Sequence, residues 1–186
     1  MGAVYATGNA ETSAADERGR DALYRQAVAE FGPALSRLAR GYEREAAARS
    51  DLLQEIHVAL WQSFGTFDGR CSLRTWVYRV AHNVGASHIQ QARRRGAGPF
   101  VALDEIEDLP AQRSLTDDAH ARDLVARVLE VIHRLKPIDR QIMLLYLEGL
   151  APDEIAEIVG TSAGNVAVRT HRVRRMLQQR FAGDAP

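Results

Sequence analysis

The sequence predicts an all-α protein made of two small helical domains joined by a flexible acidic linker. Three observations carry this reading. Apolar residues recur at three- and four-residue spacing through most of the chain, and no strand-like alternation of any length interrupts them. Glycine and proline fall between the periodic stretches, where helices stop. Charge is segregated, with two basic, acid-free stretches on either side of an acidic one.

The first 16 residues have neither a basic start with an apolar core nor a small-residue cleavage site, so they read as a mobile tail, not a secretion signal. A helix is expected over about residues 17–40, where Leu23, Ala27, Phe31, Leu35 and Leu38 share a face and Gly32-Pro33 is a candidate bend. Ser50 is expected to cap a second helix that ends at Gly65. Its apolar face is Leu52, Ile56, Ala59, Leu60 and Phe64, which leaves Asp51, Gln54, Glu55, Val58 and Gln62 on the other side. A loop follows, carrying the turn signal Asp68-Gly69. Ser72 then caps a third helix with the stripe Leu73, Trp76, Val77, Val80, Ala81 and Val84, broken after Arg95 by Gly96, Gly98 and Pro99. These elements make a domain over residues 17–96.

Residues 97–119 have no sustained period and hold Pro99, Pro110 and an acidic run, so they read as a flexible linker with one local contact around Phe100, Val101 and Leu103. A second helical domain is expected over 120–182, before a short tail at 183–186. Leu124, Val128, Val131 and Leu135 mark its first helix, and Pro137 opens the next at a favoured first-turn position. Gly149 stops that helix, a short one from Pro152 ends at Gly160, and Ser162 caps the last, with Val166, Thr170, Val173 and Leu177 inward.

Composition limits the functions available. With 46% hydrophobic and 26% charged residues the chain is globular, and no apolar run approaches the ~20 residues of a membrane span, so no membrane insertion is expected. The single cysteine, Cys71, cannot form an internal disulfide, which suits a cytoplasmic protein. No metal-ligand cluster, nucleophile–base set or phosphate loop occurs, so neither a cofactor nor an enzyme activity is expected.

The zero net charge hides an asymmetry. Arg70, Arg74, Arg79, Arg93, Arg94 and Arg95 cluster without an acid, as do Arg169, Arg172, Arg174, Arg175 and Arg180. Asp104, Glu105, Glu107, Asp108, Asp117, Asp118 and Asp123 lie between them. Two nucleic-acid surfaces separated by a self-repelling segment fit this pattern. Nearly every basic residue is arginine, whose planar fork suits phosphates and base edges.

Each basic stretch has its own chemistry. "APDEIAEIVGTSAGNVAVRTHRVRRM" is a short helix, a tight turn and a longer basic helix, the helix-turn-helix pattern, whose second helix would enter the major groove. "RCSLRTWVYRVAHN" interleaves aromatics with arginines, which suits single-stranded nucleic acid: a ring stacks on a base while a guanidinium holds the backbone. Trp76 falls in the apolar stripe, where core packing is favoured over a nucleic-acid contact without excluding it, whereas Tyr78, Arg79, His82 and Asn83 fall off that stripe. A module that stacks bases beside one that reads a duplex suggests a protein that opens DNA.

The stretch "DLLQEIHVALWQSFGTFDGRCSLRTWVYRVAHNVGASHIQQARRR" resembles region 2 of an extracytoplasmic-function (ECF) sigma factor. "LVARVLEVIHRLKPIDRQIMLLYLEGLAPDEIAEIVGTSAGNVAVRTHRVRRML" resembles region 4 of the same family, with no room for other sigma regions. The resemblance implies a sigma subunit that binds core RNA polymerase, recognises promoter DNA and helps to separate its strands. By it, Asp51, Gln54 and Glu55 match a motif that docks on the β′ clamp helices, and region 4 meets the β flap. Phe67, Asp68, Arg70 and Ser72 match the loop that captures a flipped minus-ten base, and Arg74, Trp76, Arg79, His82 and Asn83 match the helix at the melting junction. An anti-sigma partner is implied as well. Val77 stands where housekeeping sigma factors carry a second tryptophan, which implies weaker melting.

Cys71 departs from the commoner small or acidic residue of the capture loop, and Ala167-Val168 replaces the usual basic-Ser pair of region 4. On the last helix Asn165, Val168, Arg169, His171, Arg172 and Arg175 face outward. Val168 offers apolar contact that suits a thymine methyl, His171 and Arg172 are placed for polar base contacts, Asn165 and Arg169 nearer the backbone, and Arg175 on phosphate. Ala151 cannot cap the helix before the turn, at a cost of about 1 kcal/mol. The acidic linker is expected to fold back on a basic surface and weaken DNA binding by the free chain. A free-standing helix-turn-helix regulator is the alternative reading, disfavoured by the polar Asp51-Gln54-Glu55 face.

Overall fold

The computed structural model describes the backbone of residues 5–96 and 117–181, with side chains over 17–96 and 125–181. Among the described residues the regular structure is entirely helical: α1 (Tyr5–Tyr42), α2 (Ala46–Ser63), a single 3-10 turn (Phe64–Thr66), α3 (Leu73–Arg94), α4 (Asp117–Arg134), α5 (Pro137–Leu147), α6 (Pro152–Val159) and α7 (Ala163–Phe181).

Helices α1 to α3 pack together around Leu35, Leu52, Ile56 and Leu60, all fully buried, with Val77 and Ala81 of α3 closing the core. Helices α5 to α7 pack around Ile142, Leu145, Ile155, Val166 and Val173, and Ile132 of α4, with Leu135 just beyond its end, completes that core. Burying each such aliphatic side chain contributes roughly 1.5–3 kcal/mol, so the spacing of apolar residues sets both cores.

Local chemistry moves several helix ends. α1 starts at Tyr5, inside the stretch expected as a tail, and runs unbroken through Pro33. Pro33 lies on the exposed side of α1, where the carbonyl it leaves unpaired can be hydrated. α2 starts upstream of Ser50 because the Glu45 carboxylate accepts from the Ala47 and Ala48 amides at 3.0 and 2.6 Å. Those bonds hold the Glu45 carboxyl below its ordinary range. Ser50 instead donates to the Ala46 carbonyl at 3.1 Å from within the helix. Ser72 does cap α3, accepting from the Thr75 amide at 3.0 Å. α4 starts at Asp117, inside the expected linker, and the expected contact around Phe100, Val101 and Leu103 lies outside the described residues.

Pro137 opens α5 as its first residue. The buried Arg140 reaches back from α5 and donates to the carbonyls of Ile132 and His133, closing the C-terminus of α4. Burial lowers this guanidinium to about 10, which still leaves it charged at neutral pH. At α6, Ala151 has no side-chain oxygen to offer, but Glu154 accepts from the Ala151 amide at 2.8 Å and so supplies half of a cap. Gly160 takes φ of 76°, the left-handed conformation the turn into α7 requires.

The two units also touch each other. α1 meets α4 and α5, and α3 meets α5 and α6. Gly41 makes room for Leu144 at this contact, since a Cβ there would lie 2.3 Å from Leu144 Cδ2.

Candidate nucleic-acid interface

The α2 face away from the core is exposed at Asp51, Gln54, Glu55, Val58 and Gln62, because the 3.6-residue period turns Leu52, Ile56 and Leu60 inward. This face forms one wall of a shallow groove. Asn83, Ser87, His88 and Gln91 of α3 form the other. His88 Nε2 and Glu43 Oε2 are 2.8 Å apart at its side. Burial would raise the Glu43 carboxyl, but bonds from His88 and from the Glu45 and Arg44 amides hold it below the usual carboxylate range. The sequence reading missed the α3 wall, although residues 83, 87 and 91 recur at a spacing of four.

The loop over residues 67–72 and α3 form a second surface. Phe67 is half-buried, its ring centroid 5.2 Å from Trp76 and 6.2 Å from Phe64. Trp76 donates from Nε1 to Ser63 Oγ at 2.9 Å. Asp68 and Arg70 form an exposed ion pair, and the Asp68 carboxyl is lowered first by the Arg70 amide and then by its guanidinium. Ser72 is exposed, but its hydroxyl is engaged with Thr75. Asn83 is exposed.

Arg74 and Arg79 project from α3 toward α6. Arg74 Nη1 lies 3.4 Å from Glu154 Oε1, and Arg79 Nη2 donates to the Glu157 carbonyl at 3.2 Å with the Glu157 carboxylate at 3.5 Å. Two arginines expected at the melting junction are thus paired with carboxylates of the other domain.

The structure corrects the expected facing of α3 at two rings. His82 is fully buried, with Nδ1 2.8 Å from Tyr42 Oη, and burial pushes its imidazole down to about 3. Tyr78 is also buried, edge-on to Phe31 at 6.1 Å. In this arrangement neither ring is available to a nucleic acid. The reason is the rotation of the helix: α1 covers the side bearing Tyr78 and His82, so Trp76, Val80 and Val84 are left only partly buried.

On α7, Val166, Thr170, Val173 and Met176 are buried, with Leu177 partly buried beside them. Asn165, Val168, His171, Arg172 and Arg175 are exposed, while Arg169 is half-buried against α5. Ser162 Oγ accepts from the Asn165 amide at 3.2 Å and starts the helix. The α7 residues presented to solvent from its first three turns therefore include an apolar patch at Val168, 60% exposed, followed by His171 and Arg172.

Among the described residues no group of histidine, cysteine or acidic side chains could hold a metal ion, and no helix is long and apolar enough to cross a membrane.

Comparison with known proteins defines the class. Residues 27–95 match sigma-70 region 2 and residues 126–177 match sigma-70 region 4, together well over half of the chain. The fold is shared with CnrH in complex with the cytosolic domain of CnrY (TM-score 0.63, 24% identity, covering 92% of this chain and 96% of that one). It is also shared with the sigma factor RpoE in complex with the anti-sigma factor NepR from Bartonella quintana (TM-score 0.63, 20% identity, 87% and 98%). Among curated relatives, the ECF RNA polymerase sigma-E factor of Haemophilus influenzae is 28% identical over 138 residues, 70% of this chain and 73% of that protein. The RNA polymerase sigma-H factor of Pseudomonas aeruginosa is 26% identical over 145 residues, 74% and 75% of the two chains. The chain belongs to the sigma-70 family and is a sigma factor of the ECF type, with regions 2 and 4. Such a protein directs promoter-specific transcription initiation.

Proposed function

We propose that the three exposed surfaces divide that task. The Asp51-Gln54-Glu55 face of α2 docks on the β′ clamp helices of core RNA polymerase. The loop carrying Phe67, Asp68 and Arg70, with Arg74, Trp76, Arg79 and Asn83, holds the opened minus-ten strand. Helix α7 reads the minus-thirty-five element, while the rest of region 4 meets the β flap. Region 2 extends over 17–96 and region 4 over 120–182. The observation that carries this reading is the exposed polar face on α2: no contact within the described fold requires it, and a free-standing regulator would have no use for it.

The chain supplies binding surfaces and no catalytic group, and it acts in the cytoplasm. Two proteins that share its fold are held in complexes by CnrY and by NepR, the latter an anti-sigma factor, which supports a protein antagonist for this chain too. In vitro transcription with core polymerase on a genomic library tests the whole reading, because sequenced transcript starts should align on one shared promoter. Copurification with core polymerase separates it from a free-standing helix-turn-helix regulator, which would stay apart.

A further inference from the structure

Arg169 stands on the helix that reads duplex DNA, yet its guanidinium is turned back into the protein. Its Nη1 donates to Asp139 Oδ1 of α5 at 2.5 Å, and its Nε donates to Asn165 Oδ1 at 3.0 Å. Asn165 Nδ2 donates in turn to Thr161 Oγ1 at 2.8 Å. One carboxylate on α5 thus starts a chain of three hydrogen bonds through the first two turns of α7 and the turn before it. Side-chain exposure is 14% at Asp139 and 33% at Arg169, so the pair is partly withdrawn from water and its screening.

We propose that Asp139 is a specificity-determining positioning residue for promoter reading. The inference rests on α7 being the minus-thirty-five reader. Phosphate contacts carry affinity for any sequence, whereas base contacts carry discrimination. An arginine left loose in the second turn of α7 would grip the nearest phosphate of any duplex and raise binding to all sites alike. Asp139 holds that guanidinium inward and adds a negative charge beside it. Through Arg169 it also engages Asn165 Oδ1, while Asn165 Nδ2 donates to Thr161 Oγ1, so both ends of that side chain have partners within the protein. Val168, His171 and Arg172 are left to set the sequence preference.

Stability alone gives a weak reason for this arrangement. The pair is not needed to hold the two helices together, because α5 is already fixed to α7 by Ile142, Val166 and Val173, all buried. Pro137 and Arg140 fix the start of α5 independently.

The test uses holoenzyme reconstituted from core polymerase and the full chain, as wild type, Asp139→Asn and Asp139→Glu. Binding is measured over a salt series to a duplex whose minus-thirty-five sequence wild type itself selects from a randomised library, and to a scrambled duplex. Asp139→Asn should bind the scrambled duplex several-fold tighter, with a salt slope steeper by about 0.9 for one recruited phosphate. The ratio of selected to scrambled binding should fall by a similar factor. Asp139→Glu should stay near wild type. A thermal melt separates this from a structural role: lower melting with equal loss on both duplexes and an unchanged slope overturns the proposal. So does an Asp139→Asn profile identical to wild type. If wild-type holoenzyme selects no minus-thirty-five sequence, the reading of α7 fails first and takes the role of Asp139 with it.

Discussion

Burial decides what His82 does. Its ring is sealed between α3 and α1, and burial keeps it neutral by lowering its pKa to about 3. In the unfolded chain the same ring takes up a proton near pH 6.5. Its contribution to stability is therefore fully present above about pH 6.5 and is lost progressively as pH falls toward 3. At ~1.4 kcal/mol per pH unit, this one group should remove roughly 1–2 kcal/mol between pH 6.5 and pH 5. His133, lowered to about 4 chiefly by burial and partly by Arg140 and Arg44, acts in the same direction. Urea melts at pH 7.5 and pH 5 should show His82→Leu losing less stability on acidification than wild type, and equal losses would place the titration elsewhere. The sequence could not show this burial, because a histidine one turn after a tyrosine looks alike facing DNA or facing a neighbouring helix. On α7 the outward residues were legible except Arg169, expected outward but half-buried against Asp139 of α5; elsewhere on that helix period and charge agree. Arg172→Ala should cost about 1–3 kcal/mol and relax preference at one or two minus-thirty-five positions. Arg175→Ala should weaken all sequences alike and flatten the salt slope. A randomised minus-thirty-five library decides it, and the opposite pattern would reverse the orientation of α7 in the groove.

At the scale of helices, α2 was readable because its two faces differ in composition. Leu52, Ile56 and Leu60 are fully buried, while Asp51, Gln54 and Glu55 are exposed. Its start was not readable, because the capping carboxylate is Glu45, a residue type that rarely advertises a cap. α3 was placed correctly by Ser72 but given the wrong rotation. Apolar residues nearly surround it, so the buried side is chosen by α1 and not by its own pattern. The α2 face carries a separable prediction. Gln54→Ala with Glu55→Lys should abolish core-polymerase pull-down while shifting the thermal melt little, since exposed substitutions away from packing usually stay within about 0.5 kcal/mol. Retained pull-down would show that core polymerase docks on another face.

At the scale of the molecule, the two domains are drawn together by opposite charge across one interface. Glu154 and Glu157 of α6 face Arg74 and Arg79, Glu130 of α4 lies 3.0 Å from Arg44, and Glu148 holds Arg37 through two bonds of 2.6 and 2.7 Å. The sequence suggested that acids would cover a basic surface and assigned that role to the linker, whose acids at 104, 105, 107 and 108 lie outside the described residues. Within the described residues the covering carboxylates sit on α4, the end of α5 and α6, brought there by tertiary folding that segment composition cannot show. In the closed form Arg74 and Arg79 are occupied, so the free chain should bind forked promoter DNA weakly. Each pair is partly exposed and worth no more than about 1 kcal/mol, so single disruptions should open the molecule only in part. Glu157→Lys removes one pair and repels Arg79, but it also adds a positive charge that DNA would attract directly. Gly41→Leu provides the independent control: it changes no charge and drives a side chain into Leu144, which already blocks even a Cβ at that position. Both variants should increase the radius of gyration in small-angle scattering and bind the fork more tightly than wild type in the absence of core polymerase. Tighter binding by Glu157→Lys alone, with Gly41→Leu expanded but no better at binding, would assign the gain to the added charge and remove closure as the brake.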